Sequence, residues 1–243
     1  MGLGILSGIS VGPGDPELIT VKGLRLLQGA PVVAFPAGRE GQAGIAEQIV
    51  AQWLRPAQVK LPLFFSFVQD DIALMTAWQS AARDLGYYLT RGQDVVFVCE
   101  GDISFYSTFT YLAQTVQAEW PEIEIRRVPG VCSPMAGASA LGFPLTVRNQ
   151  RLVVLPALYH LQELEAALNW ADVVVLMKVN SVYEQVWAIL ARWGLLAQTS
   201  VIERATLPNQ VIYHGLEGHP QLKLSYFSLI IIQVANFVTG SEE

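Results

Sequence analysis

A two-lobed α/β fold, with a roughly five-stranded mixed sheet flanked by helices in each lobe, is what the sequence predicts. Three observations predict it. Short β-branched runs alternate with helical periodicities along most of the chain. The alternation restarts after an unpatterned stretch around Gly142, Pro144, Arg148 and Asn149. Of the 243 residues, 52% are hydrophobic and 15% charged, enough apolar material for one large core or two smaller ones. The expected lobes are residues 1–143 and 151–243, joined by a linker at 144–150.

The first strand is Leu3–Ser10. Pro16–Gln28 reads as a helix with Asp15 as N-cap and Pro16 at the first helical position, where a missing N–H costs nothing. Val32–Phe35 is a strand, and Gln42–Leu54 a helix with Ile45, Ile49 and Trp53 on one face. After the short strand Val59–Leu61, a long helix over Val68–Thr90 carries Met75, Trp78, Ala82 and Leu85 on one stripe. Strand Asp94–Cys99, helix Tyr106–Ala118, strand Ile123–Val128 and helix Pro134–Leu141 complete the first half. In the second half come strand Arg151–Leu155, helix Leu161–Leu168, strand Asp172–Met177 and helix Ser181–Trp193. Strands Ser200–Arg204, Gln210–His214 and Tyr226–Gln233 close the pattern.

Composition excludes several functions. A net charge of −6 argues against a nucleic-acid binder, which needs a basic face to neutralise phosphates. No basic segment precedes an apolar one near the start, so no signal peptide is expected. The longest apolar stretches, Val173–Met177 and Leu229–Val234, are strand-sized, and no membrane span is expected. Cys99, Cys132, His160, His214 and His219 lack metal-ligand spacing, so no metal is expected. Two isolated thiols fit a reducing compartment, and the chain is expected in the cytoplasm. Charged residues at 15%, against about 25% in a typical soluble domain, point to a covered surface, and a homodimer is expected.

In open α/β sheets ligands bind beyond the carboxyl ends of the strands. Four features sit at such ends. The loop Val11-Gly12-Pro13-Gly14-Asp15-Pro16 succeeds the first strand; its spacing is neither Gly-x-Gly-x-x-Gly nor a Walker A loop. Glu100-Gly101-Asp102 comes after the strand ending at Cys99, where two carboxylates around a glycine exceed what folding needs; Asp102 as a helix cap is the plainer alternative. Pro129-Gly130-Val131-Cys132-Ser133 opens into a helix, with Ser133 a natural N-cap. Met177-Lys178 and Glu203-Arg204-Ala205-Thr206 stand at the ends of two strands of the second half.

Taken in order, Val-Gly-Pro-Gly-Asp-Pro-Glu-Leu-Ile-Thr at 11–20, Glu-Gly-Asp with Phe105-Tyr106-Ser107-Thr108-Phe109 at 100–109, and Val-Pro-Gly-Val at 128–131 resemble the tetrapyrrole (corrin/porphyrin) methylases. The likeness runs from Leu3 to about Gln233. It implies a two-lobed α/β fold with the site in the cleft between lobes, S-adenosylmethionine as methyl donor, and a tetrapyrrole substrate. It implies cofactor contacts at Pro13, Glu100, Gly101, Asp102, Phe105, Cys132, Ser133, Met177 and Ala205. The chain departs from the family pattern at Ser10, where Gly is frequent, at Ile103, where Pro is usual, and at Pro134. Methyl transfer from a sulfonium needs alignment more than activation, plus a base for the displaced proton. Asp102 is the candidate base; the alternative is that it only holds the cofactor. A substrate rich in carboxylates calls for a local basic rim, for which Arg39, Arg148, Lys178 and Arg204 are the candidates. A non-enzymatic tetrapyrrole carrier is the competing class, and the intact Gly-Asp and Pro-Gly loops speak against it.

Overall fold

The computed structural model describes residues 2–38, 42–65 and 70–235. These residues divide into two compact units, Met1–Cys132 and Ser133–Glu243, each with its own five-stranded sheet.

In the first unit, strands β1 (Leu6–Ser10), β2 (Val32–Pro36), β3 (Val59–Leu63), β4 (Val95–Cys99) and β5 (Ile125–Val128) pair in the order β3-β2-β4-β1-β5. Every pairing is parallel, so the mixed character expected of both sheets belongs to the second alone. β1 and β4 are buried along their whole length, as parallel strands covered on both faces must be. Side chains alternate between two cores. Leu6, Val32, Ala34, Val95 and Phe97 pack under helices α3 (Asp71–Leu89) and α4 (Phe109–Glu119). Ile9, Val33, Phe35, Val96 and Val98 pack on the opposite face under α1 (Val21–Gly29) and α2 (Ile45–Val50). The chain therefore leaves β1 for one face and the adjacent β4 for the other, which makes their carboxyl ends a topological switch point.

Two expected helices are each divided between an α-helix and a 3-10 turn. Asp15 caps only a 3-10 turn, Pro16–Leu18; Thr20 then accepts from Gly23 N–H and starts α1 afresh. The helix predicted from Gln42 starts at Ile45 and ends in a 3-10 turn at Ala51–Trp53. In α3 the stripe is buried at Ala82 and Leu85, whereas Met75 is 60% exposed. Trp78 there stacks with Phe65 and Tyr111.

In the second unit, α5 (Ser133–Leu141) precedes β6 (Leu152–Leu155), α6 (Leu161–Leu168), β7 (Val173–Met177), α7 (Tyr183–Trp193), β8 (Thr199–Glu203), β9 (Val211–His214) and β10 (Ser228–Gln233). The sheet order is β6-β7-β10-β8-β9, with only β6 and β7 parallel. Leu164, Val186 and Leu190 of α6 and α7 cover one face with Val174, Leu176 and Ile230. Ala138 and Leu141 of α5 cover the other with Val173, Val175 and Ile231. The predicted boundary carries the first lobe through residue 143. The compact units divide about ten residues earlier, because α5 packs on β8 and β10.

Among the described residues no helix is long and apolar enough to cross a membrane. Among them, too, no three His, Cys, Asp or Glu side chains cluster as metal ligands.

Candidate functional site

The loops after β1, β4 and β5 are tied to one another at the switch point. Gly12 and Gly101 form an isolated antiparallel bridge, Gly101 N–H donating to Gly12 O at 2.8 Å and Gly12 N–H to Gly101 O at 3.3 Å. Both have positive φ, 77° and 69°, which glycine adopts without strain. A Cβ on Gly101 would meet no atom within 4 Å, so this backbone borders open space that a ligand can approach. Gly12, Pro13 and Gly14 are themselves buried.

Asp102, 8% exposed, is the centre of the knot. Its Oδ1 accepts from Ser104 N–H at 2.8 Å and from the Ser104 hydroxyl; its Oδ2 accepts from Gly130 N–H at 2.7 Å. Ser10 Oγ lies 3.4 Å from Oδ2, accepts from Ile103 N–H at 2.7 Å and donates to Val128 O at 2.9 Å. Thus groups from the carboxyl ends of β1, β4 and β5, neighbours in the sheet, converge on this carboxylate. Burial by itself would raise the Asp102 pKa, but the bonds from Ser104, Gly130 and Ser10 outweigh it and hold the carboxyl below its ordinary value. A lowered folded pKa stabilises the fold at pH values above the unfolded one, near 3.9. That contribution is expected to vanish as pH falls through the folded value. Urea titrations across the acid range should show it, and Asp102→Ala should lack that component.

Other predicted residues of the first unit lie close in sequence to this knot. Phe105 is half-buried and packs edge-on against Tyr106 at 4.6 Å; Phe105 N–H donates to Asp102 O. Glu100 and Cys132 are half-buried. The Cys99 thiol, buried and 3.0 Å from Ser107 Oγ, is pushed up to about 11 by burial, which keeps it protonated and unreactive. At the carboxyl ends of β2 and β3, Phe35, Ala37, Pro62 and Phe64 line a hollow with Lys60 and Glu47. Arg39 lies outside the described residues.

In the second unit, Met177 ends β7 half-buried, and Ala205 comes just after β8 at 6% exposure. Ser133 is the first residue of α5 rather than a cap before it. Lys178 and Arg204 directly succeed β7 and β8, both with left-handed backbone, φ 54° and 50°. Arg148 is also left-handed, but it sits in a Val147–Gln150 turn in which Gln150 N–H donates to Val147 O.

The sequence profile of the Tetrapyrrole (Corrin/Porphyrin) Methylases matches residues 6–221. The chain belongs to this family. It is 34% identical over 231 residues to the cobalt-precorrin-2 C(20)-methyltransferase of Salmonella typhimurium, covering 94% of this chain and 96% of that one. It is 31% identical over 240 residues to the precorrin-2 C(20)-methyltransferase of a Sinorhizobium species, covering 96% of each. Among solved structures, it superposes on the uroporphyrin-III C-methyl transferase of Thermus thermophilus complexed with S-adenyl homocysteine. The TM-score is 0.68 at 24% identity, over 94% of this chain and 92% of that one, a likeness of fold.

One residue of the knot escapes sequence reasoning in this tetrapyrrole methylase, Ser104; Ser10 and Gly130 are noted there, but not as partners of Asp102. Ser10 does carry a signal, as a hydroxyl at the end of an otherwise buried strand, where a polar group must find partners. The pairing of Gly130 with Asp102 carries none, because the two lie 28 residues apart.

Proposed function

We propose that this protein is an S-adenosylmethionine-dependent C-methyltransferase that methylates a precorrin-2-type tetrapyrrole at C-20 in cobalamin synthesis. What carries the reading is likeness over nearly the full length to two enzymes named for that reaction. S-adenosylmethionine supplies a sulfonium-bound methyl group. The protein's share is to hold donor and acceptor in line and to exclude water. The proposed cofactor contacts are Pro13, Glu100, Gly101, Asp102, Phe105 and Cys132 of the first unit and Ser133, Met177 and Ala205 of the second. The open space beside Gly101 fits such a ligand.

Asp102 has two readings, a base for the displaced proton or an organiser of the loops. Its lowered pKa and its bonds to three of the protein's own groups favour the organiser. The substrate's carboxylates are assigned to Lys178 and Arg204, with Arg39 and Arg148 further candidates. A homodimer in the cytoplasm completes the proposal, and light scattering after gel filtration should give twice the chain mass of 26.6 kDa.

The decisive experiment uses methyl-labelled S-adenosylmethionine with metal-free precorrin-2 and with its cobalt-bearing counterpart, side by side. The expected outcome is one label at C-20 by NMR. A label at another ring position, or none with either substrate, refutes the reading. The rates also separate the two routes, because the relatives bear names from both.

A further inference from the structure

Resting on that function, we propose that Tyr226 and Phe227 form an aromatic ledge, flanked by Lys178 and Arg204, on which the second unit seats the face of a planar polycarboxylate macrocycle. The sheet order makes the row. β10 runs antiparallel between β7 and β8, so its amino end lies beside their carboxyl ends. Leu229 pairs with Met177 and Ser228 with Glu203. One residue beyond each pair, Lys178 and Arg204 lie on either side of the turn that carries Tyr226 and Phe227. Two strand spacings separate the cations' backbones by about 10 Å, a span on the scale of a tetrapyrrole.

The turn is pinned three ways. Ser225 N–H donates to Oε2 of Glu203 at 2.7 Å, Ser228 Oγ donates to Ser225 O at 2.5 Å, and Arg204 N–H donates to Phe227 O at 2.7 Å. Glu203 is 6% exposed, so a buried carboxylate is spent on fixing the backbone of this turn. Yet the rings it presents face solvent, Tyr226 at 51% and Phe227 at 37% exposure. They stand perpendicular, centroids 5.3 Å apart, and Lys178 Nζ lies 5.6 Å from the Tyr226 centroid. Folding alone favours burying such rings. Lys178 and Arg204 also hold left-handed backbone, a conformation that residues with side chains rarely adopt. Arg204 Nε is anchored on Asn209 O at 3.0 Å. Rigid exposed rings between two placed cations suit a flat π-face with carboxylates at its edge. With a net charge of −6, the chain needs such local cations to hold a polyanion.

The test titrates the full chain with uroporphyrin, a stable flat macrocycle bearing eight carboxylates, and monitors fluorescence quenching. Tyr226→Leu/Phe227→Leu and Lys178→Met/Arg204→Met should each weaken binding about tenfold, the second also flattening the salt dependence. Both should melt as the wild type does and bind S-adenosylhomocysteine as tightly, which separates the ledge from folding and from the cofactor site. Glu203→Gln, a positioning change, should raise KM for precorrin-2 while leaving kcat unchanged. Wild-type affinity for uroporphyrin in either double variant, or no uroporphyrin binding by the wild type, overturns the ledge. So does equal affinity for benzenehexacarboxylate, which has the charge without the macrocycle. If the wild type methylates precorrin-2 while the ledge variants keep its KM, the ledge fails and the function stands. If the wild type methylates no tetrapyrrole, the function fails, and the ledge with it.

Discussion

Asp102→Asn is expected to destabilise the protein by about 3 kcal/mol and to weaken cofactor affinity about 100-fold. An ionised carboxylate accepts at both ends, and here Ser104 N–H approaches Oδ1 while Gly130 N–H approaches Oδ2. An amide of the same shape turns an NH2 toward one of those donors. Each charged hydrogen bond is worth about 1.5–3 kcal/mol, and a donor left facing a donor adds to the loss. Urea melts and calorimetry with S-adenosylhomocysteine measure the two effects. They should fall together, because the same bonds that hold the fold shape the Gly101 loop. If stability and cofactor affinity survive while only turnover falls, the carboxylate is the base after all.

Gly130→Ala is expected to cost about 2–3 kcal/mol through overpacking. A Cβ at position 130 would stand 2.5 Å from Ser10 Cβ, in a strand held on both sides by β4 and β5. β1 cannot retreat, so the 129–132 loop must, and it takes the Gly130 N–H away from Asp102. Ser10→Gly should relieve the collision while removing the hydroxyl that joins Ile103 to Val128. The double variant should therefore be more stable than the sum of the single losses predicts. Additive losses would show that the loop moves without hindrance.

The strands are legible in the sequence because strands covered on both faces are written as unbroken apolar runs, Val95–Cys99 and Val173–Met177 above all. Helix α6 lies where the periodicity puts it, Leu161–Leu168. The helix start predicted at Pro16 is misplaced because Asp15 is a good local cap. Nothing in sequence announces that Thr20 caps again five residues later. The strand-end positions of Gly101, Asp102, Lys178 and Arg204 are legible too, since a residue that comes directly after a strand in the chain must lie at that strand's carboxyl end. The contacts that join them are not. The bond from Gly130 to Asp102 and the place of β10 between β7 and β8 are long-range pairings, set by topology rather than by neighbouring residues.

That place of β10 has a consequence for how the protein is made. The first sheet is complete once Val128 has been synthesised. The second has its central strand last, so until Ser228–Gln233 emerges, β6-β7 and β8-β9 are two separate two-stranded pieces with apolar edges. A ribosome stalled before residue 228 would carry one finished half and one that a chaperone must shield. A premature stop a few codons earlier should yield insoluble protein whose first half still resists protease.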